Sequence, residues 1–262
     1  MPGAVQDAVL VTRPEGEAAR DLCDQLEALG YAVAHQPLLE LTAIDELPAE
    51  QRQRVLDLDL YQHVIFISAN AVRFGMEYLQ DYWPQWPVGL NWYAIGSATA
   101  ARLARYDVRA ITPGSDMTSE GLLAVPELAS VAGERVLIVK GEGGRDKLAS
   151  VLTGRGAQVD TLACYRRARP AMSRETFLGT LRNQKVGTIL VTSGEGLAFL
   201  AELLSPQETS KLGQLNIIVP SARVAQQARD AGFTRVVTAA NASDAAMLHA
   251  LDQCHHSSGE SE

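Results

Sequence analysis

The segment VLVTRPEGEAARDL, which begins at Val9, returns as VLIVKGEGGRDKL at Val136, and the likeness continues along the chain. ALGYAVAHQPLLE is answered by GRGAQVDTLACYR, with Gly30 over Gly156. ISANAVRF is answered by TSGEGLAF, with Ser68 over Ser193, and further on Ser97 falls over Ser221 and Ser119 over Ser243. The offset stays between 124 and 127 residues. Short loop insertions account for that drift, and the order of segments is kept. An internal repeat of this kind constrains the fold before any single element does, because what one half can build the other can build too.

Each half alternates short β-rich runs with helical patterns. VLVT reads as a strand, followed by a helix over residues 15–29 with Leu22, Leu26 and Leu29 at helical spacing and Gly30 as its stop. HVIFIS is a strand, and SANAVRFGMEYL a helix with Ser68 suited to the N-cap. NWYAIGSATAARLARYDV repeats the pattern around Ser97, and SEGLLAVPEL closes the half with another capped helix. Alternating βα units predict parallel sheets with helices on both faces, here an α/β protein of two doubly wound, flavodoxin-like lobes arising from an internal duplication. Two long extended segments, 31–44 and 157–170, carry Pro37 and Pro170 and no helix start. Paired antiparallel, they would bridge the lobes, the chain leaving lobe one, building lobe two and returning; a plain tandem of lobes is the other arrangement.

Composition narrows the function classes. No stretch approaches the roughly 20 apolar residues of a membrane span. The opening MPGAVQDAVLVTRPEG has neither a basic region nor a long apolar run of the secretory kind, so a cytoplasmic protein without membrane association is expected. Cys23, Cys164 and Cys254 are few and far apart, which fits a reducing compartment better than a disulfide framework, and Cys23 and Cys164 lie within apolar patterns, where a small core residue is favoured over a reactive thiol. A formal net charge of −8 disfavours nucleic acid as a partner. It leaves room for a small anionic ligand, since one basic cleft can exist on an acidic protein. The tail from His255, HHSSGESE, reads as disordered. Metal-ligand spacings are absent from the sequence.

In doubly wound sheets, ligands sit at the carboxyl ends of the strands. There this chain places Ser68-Ala69-Asn70, Gly96-Ser97-Ala98-Thr99, Ser193-Gly194-Glu195-Gly196 and Ser221-Ala222-Arg223. Helix N-termini offer unpaired N–H groups and a partial positive charge, so four such corners facing one cleft would hold several carboxylates or phosphates. A capping serine is equally a structural device, and for each corner taken alone that reading stands. KGEGGRD, residues 140–146, sets Lys140 and Arg145 about a Gly-rich turn that has neither P-loop nor GxGxxG spacing. It reads as a tight strand–helix turn or as a basic clamp. No nucleophile–base pair stands out among the histidines. Tyr165, in LACYRRARP beside Arg166 and Arg167, is either a packing residue or a proton donor.

Taken together, VLVTRPEG, IFISANAVRF, AIGSATAARL, VLIVKGEGGRDKL, CYRR, TSGEGLAFL, VPSARVAQQARDAGF and ASDAAMLHAL resemble the uroporphyrinogen-III synthase family over roughly Val9 to Leu251. Each motif is soft; their order and spacing make the likeness specific. The resemblance implies two α/β lobes joined by a two-stranded β-ladder, lobe one from residues 1–37 and 168–254, lobe two from 38–167, with 255–262 a disordered tail. It implies cofactor-free closure of the linear tetrapyrrole hydroxymethylbilane to uroporphyrinogen III, with loss of water and inversion of ring D through a spiro intermediate. A monomer is expected, with transient handover of substrate from the upstream hydroxymethylbilane synthase. The family's tyrosine on the interlobe strand matches Tyr165, the acid assisting hydroxyl departure. Substrate contacts fall to Ser68, Asn70, Ser97, Thr99, Ser193, Gly194 and Ser221. Arg13, Lys140, Gly141 and Arg223 follow, although the family does not fix its basic residues. Pro220-Ser221-Ala222-Arg223 departs from a Gly-x-x-Thr pattern frequent in the family, so Thr99 has no hydroxyl counterpart in the second half. The competing reading is a two-lobed binding protein that closes on an anionic metabolite without chemistry.

Overall fold

A computed structural model describes residues 7–144, 146–204 and 215–259. The chain divides into two compact units: residues 1–41 with 168–262, and residues 42–167. It passes from the first to the second between Leu41 and Thr42 and returns between Arg167 and Ala168.

The first unit is built on β1 (Ala8–Val11), β2 (Val33–His35), β8 (Val186–Leu190), β9 (Asn216–Val219) and β10 (Arg235–Thr238), in the order β10-β9-β8-β1-β2. All of these neighbours pair in parallel. Such a sheet is covered on both faces, and its strands are apolar runs rather than alternating ones. AVLV in β1 is buried at every position. Leu10, Ile189 and Ile217 meet Leu38, Phe177, Leu197 and Leu200 in one core. Val9, Val11, Leu190 and Ile218 meet Leu22, Leu26, Met247 and Leu251 in another. The covering helices are α1 (Glu17–Ala28), α7 (Arg174–Asn183), α8 (Gly194–Leu203), α9 (Ala222–Asp230) and α10 (Asp244–Gly259).

The sheet of the second unit comprises β3 (Glu40–Ala43), β4 (His63–Phe66), β5 (Asn91–Ala94), β6 (Arg135–Gly141) and β7 (Gln158–Ala168), in the order β3-β7-β6-β4-β5, with β3 and the last residue of β7 spanning the divisions at 41–42 and 167–168. The β5–β4–β6–β7 ladder is parallel, and a single bridge from Tyr93 to Ile111 extends it in the same sense. Its helices are α2 (Ala49–Leu56), α3 (Ala69–Tyr82), α4 (Ser97–Ala104), α5 (Ser119–Leu123) and α6 (Lys147–Gly154). Ile65, Tyr93, Val136 and Ile138 pack with Leu122, Leu128, Leu148 and Leu152.

Gly30 and Gly156 end α1 and α6 in the same way. Both have φ near +88°, a region that favours glycine, and both sit in the paired turn bonds of a left-handed helix stop. Gly30 N–H donates to Glu27 and Tyr31 N–H to Leu26; Gly156 N–H donates to Thr153 and Ala157 N–H to Leu152.

Several expectations change. Leu22 and Leu26 are buried, but Leu29 is 61% exposed: it stands at the C-cap, where the chain turns away through Gly30. The extended segment 31–44 is two strands in two sheets, β2 and β3, parted at Pro37, which has no N–H to continue a ladder. Its counterpart is a single strand, β7, which runs to Ala168 just short of Pro170. The helix α10 continues to Gly259, past the point where an irregular tail was expected from His255, because no glycine or proline stops it earlier. Residues 260–262 lie outside the described residues. Among the described residues no helix is long and apolar enough to cross a membrane.

Candidate active site

In the second unit, three strands deliver their carboxyl ends to one place. β4 ends at Phe66, and the chain stays extended to Ser68, whose φ of −167° and ψ of 161° are those of an N-cap. Ser68 Oγ accepts a hydrogen bond from Ala71 N at 3.0 Å, satisfying one of the unpaired donors of α3. β6 brings Lys140 and Gly141, and β7 brings Tyr165, whose Oη lies 3.5 Å from Ser68 Oγ. The phenol is buried, stacked on Phe74 with centroids 5.2 Å apart, and the Arg167 guanidinium carbon lies 5.9 Å from its centroid. Asn70 is half-buried in the first turn of α3.

Lys140 is nearly buried, and its Nζ donates to Asp146 Oδ1 at 2.8 Å. The ammonium holds the solvent-exposed Asp146 carboxyl below its ordinary value of 3.8. Gly143 and Gly144, with φ of 68° and 86°, form the turn between the partners. Arg145, expected to flank this turn, lies outside the described residues. Next to Tyr165, Cys164 is a core residue: burial pushes its thiol up to about 12, so it is not a nucleophile at neutral pH.

At the second expected corner the cap differs. Gly96 occupies the N-cap in an extended conformation, which makes Ser97 the first helical residue, too late to cap; its exposed hydroxyl lies 3.8 Å from Met117 Sδ. Thr99 is buried within the first turn of α4. Likewise Thr118, not Ser119, caps α5, accepting from Gly121 N at 3.1 Å.

The first unit has its own cluster. Ser193 Oγ accepts from Gly196 N at 3.0 Å and Ser221 Oγ from Val224 N at 3.4 Å, at the ends of β8 and β9. Arg223 is exposed, donates to Gln227 Oε1 at 3.4 Å, and lies alongside Gly194, at the start of α8. Arg13 is committed elsewhere: its guanidinium pairs with Asp244 and donates to the carbonyl of Ala242 at 2.7 Å and of Ala18 at 3.2 Å. It ties the end of β1 to the start of α10. Ser68, Gly141, Lys140 and Tyr165 are thus brought together in one unit, and Ser193, Gly194, Ser221 and Arg223 in the other.

Two neighbours of this site escaped the sequence reading. Phe74 gave no signal, since its partner lies 91 positions away. Asp146 stood within KGEGGRD, and its carboxylate across a glycine turn from Lys140 was a legible hint. His63 is buried between Tyr93 Oη at 2.9 Å and Glu134 Oε2 at 2.6 Å, but it opens β4 at the opposite end from Ser68. Burial raises the Tyr93 phenol well above its ordinary range, so this trio is a packed polar contact. Among the described residues no group of three or more His, Cys, Asp or Glu side chains could hold a metal.

Residues 20–249 match the family model described as Uroporphyrinogen-III synthase HemD. The chain is 37% identical to the uroporphyrinogen-III synthase of Salmonella typhimurium, covering 93% of this chain and 99% of that protein. It is 34% identical to the enzyme of that name from Escherichia coli strain K12, with the same coverage. Among solved structures, it is similar in fold to the uroporphyrinogen-III synthetase of Helicobacter pylori, with a TM-score of 0.61 and 15% identity over 95% of this chain and 99% of that one. A mutant uroporphyrinogen III synthase of Thermus thermophilus matches with a TM-score of 0.55 and 17% identity over 95% and 99%.

Proposed function

This chain belongs to the uroporphyrinogen-III synthase family, and we propose that Tyr165 is the proton donor of its reaction. The chain is an enzyme that cyclises hydroxymethylbilane to uroporphyrinogen III, a lyase of tetrapyrrole biosynthesis. The terminal hydroxyl leaves as water and an azafulvene remains. The substituted carbon of ring D attacks it, and the spiro intermediate fragments and recloses with ring D inverted. A leaving hydroxyl needs a proton, and a phenol, protonated at neutral pH, can donate one.

The observation that carries this reading is the Tyr165 Oη held 3.5 Å from Ser68 Oγ, where β4, β6 and β7 end and α3 begins. Ser68 can hydrogen-bond the phenolate left after transfer, and the N-terminus of α3 favours negative charge there. The remaining corners bind carboxylates. Ser193, Gly194, Ser221 and Arg223 in the first unit, and Asn70, Thr99 and Lys140 in the second, offer N–H groups, hydroxyls and cations to an octacarboxylate. Ser97 contributes through its backbone N–H rather than as a cap, and Arg13 contributes by holding the loop before α10.

The internal duplication is part of the same proposal. The order β2-β1-β8-β9-β10 in one sheet and β7-β6-β4-β5 followed by the Ile111 segment in the other match position for position. Both correspond to the flavodoxin-like order, each sheet taking its first two strands from one repeat and its last three from the other. The two chain crossings, at 41–42 and 167–168, fit a two-stranded connection through β3 and β7, which are sheet neighbours.

The test is product isomer analysis. Hydroxymethylbilane is incubated with the protein, products are oxidised, and type I and type III porphyrins are separated. The wild type gives type III, and spontaneous closure gives type I. Tyr165→Phe is expected to lower kcat for type III by at least about tenfold with KM little changed. Wild-type kcat in Tyr165→Phe would remove the proton-donor assignment.

A further inference from the structure

β7 does not run beside β6 in even register. Lys140 pairs with Ala163, but the next residue, Gly141, pairs with Tyr165, so that Cys164 is an extra residue in its strand. In an even strand neighbouring side chains point to opposite faces; a bulge re-aims them. Here Cys164 and Tyr165 are consecutive and both buried, the Cys164 thiol 3.2 Å from the Lys140 carbonyl oxygen and the Tyr165 ring over Gly141. The contact with Gly141 is close. A Cβ on residue 141 would stand 2.7 Å from Tyr165 Cζ, 2.8 Å from Cε2 and 3.1 Å from Oη. Gly141 is not among the glycines with positive φ, so its backbone would accept an L side chain. The three atoms nearest to it all belong to Tyr165, and the ring leaves it no room. Phe74 stacks on the phenol, and Ser68 Oγ meets its Oη.

We infer that Gly141, together with the bulge at Cys164, is a positioning residue that acts through Tyr165. The missing side chain leaves the floor on which the phenol lies, and the bulge turns the ring onto it, which fixes Oη beside Ser68. In this role Gly141 serves the reaction without touching substrate. The consequence for rate rests on the reading of Tyr165 as proton donor; the seating of the ring does not.

The experiment is a cycle of wild type, Gly141→Ala, Tyr165→Leu and the double variant. Leucine lacks all three atoms that a Cβ at 141 would meet. Gly141→Ala is expected to lower the melting temperature by roughly 3 °C or more beside Tyr165, and by less than about 1 °C in the Tyr165→Leu background. Gly141→Ala alone is expected to lose at least about tenfold in kcat for type III product, with KM within about threefold. If Gly141→Ala does not fold but the double variant does, the seating is supported. An equal melting loss in both backgrounds, or failure of both to fold where Tyr165→Leu folds, overturns it. Unchanged kcat in a folded Gly141→Ala whose melting is coupled to Tyr165 overturns the catalytic consequence. Tyr165→Phe, measured alongside, separates the two readings: if it keeps the wild-type rate the proton donor is lost, while the melting cycle still decides the seating.

Discussion

Lys140 reaches the site from the end of β6 with its amine already engaged by Asp146. The hydrogen bond and the attraction of the ammonium together hold the Asp146 carboxyl below 3.8. A carboxyl depressed in the folded state stabilises the fold at pH values above its unfolded value, and that contribution is lost as pH falls through the lowered folded value. Replacing Lys140 by methionine removes both causes, so Asp146 should titrate closer to 3.8 than it does in the wild type. The Asp146 side-chain carbon resonance, followed from neutral to acid pH, reads this directly; an unmoved midpoint would mean that Lys140 is not the cause. The pair also bears on binding. For Lys140 to meet a substrate carboxylate, Asp146 must yield its place, one oxyanion for another. Arg223, by contrast, donates to the neutral Gln227 and forms no ion pair among the described residues.

At the scale of elements, α3 carries Ser68 at its start and Phe74 on its buried face, so its height above the sheet sets the site. Gly75 determines that height. A Cβ there would lie 2.5 Å from Val139 Cγ1 and 3.3 Å from the Phe66 ring, too close for the helix to keep its seat on β6. Gly75→Ala should destabilise by about 1–3 kcal/mol through overpacking. Val139→Ala in the same chain should return much of that loss, in denaturant titrations compared with either single variant. Additive losses would show that the contact is not the cause. These facts explain what could be read from sequence alone. The serine corners were legible at 68, 193 and 221 because capping is decided within four residues. At 97 the same pattern misled by one position, since Gly96 takes the extended conformation as readily as a serine would. The split of 31–44 between two sheets and the bulge at Cys164 depend on register between distant strands, which local periodicity does not encode. Tyr165 was therefore visible as a residue, but its aim was not.

At the scale of the molecule, the repeat proposed from the sequence and the units of the structure do not coincide. The first half of the chain, up to about residue 131, holds β1 and β2 of one sheet and β3, β4 and β5 of the other, and completes neither. Residues 42–167, by contrast, are contiguous and carry β4, β5, β6 and nearly all of β7 together with the helices α2 to α6 and their common core. A domain needs its own buried core to fold, and a parallel sheet exposes apolar strands wherever its neighbours are missing. A fragment of residues 42–167 should therefore melt cooperatively when followed by circular dichroism. A fragment of residues 1–131 should show no such transition, although it contains one full copy of the proposed repeat. A cooperative transition in the 1–131 fragment, or none in 42–167, would mean that the repeat rather than the sheet is the folding unit. The expected result would place the cost of the discontinuous design on the first unit, whose β2 and β8 are separated in the chain by the whole of the second. The entropic cost of closing so long a loop rises only slowly with its length, because it grows as the logarithm of the number of residues. An inserted unit that folds on its own shortens the effective loop further, which is why a chain can leave one sheet unfinished, complete another, and return.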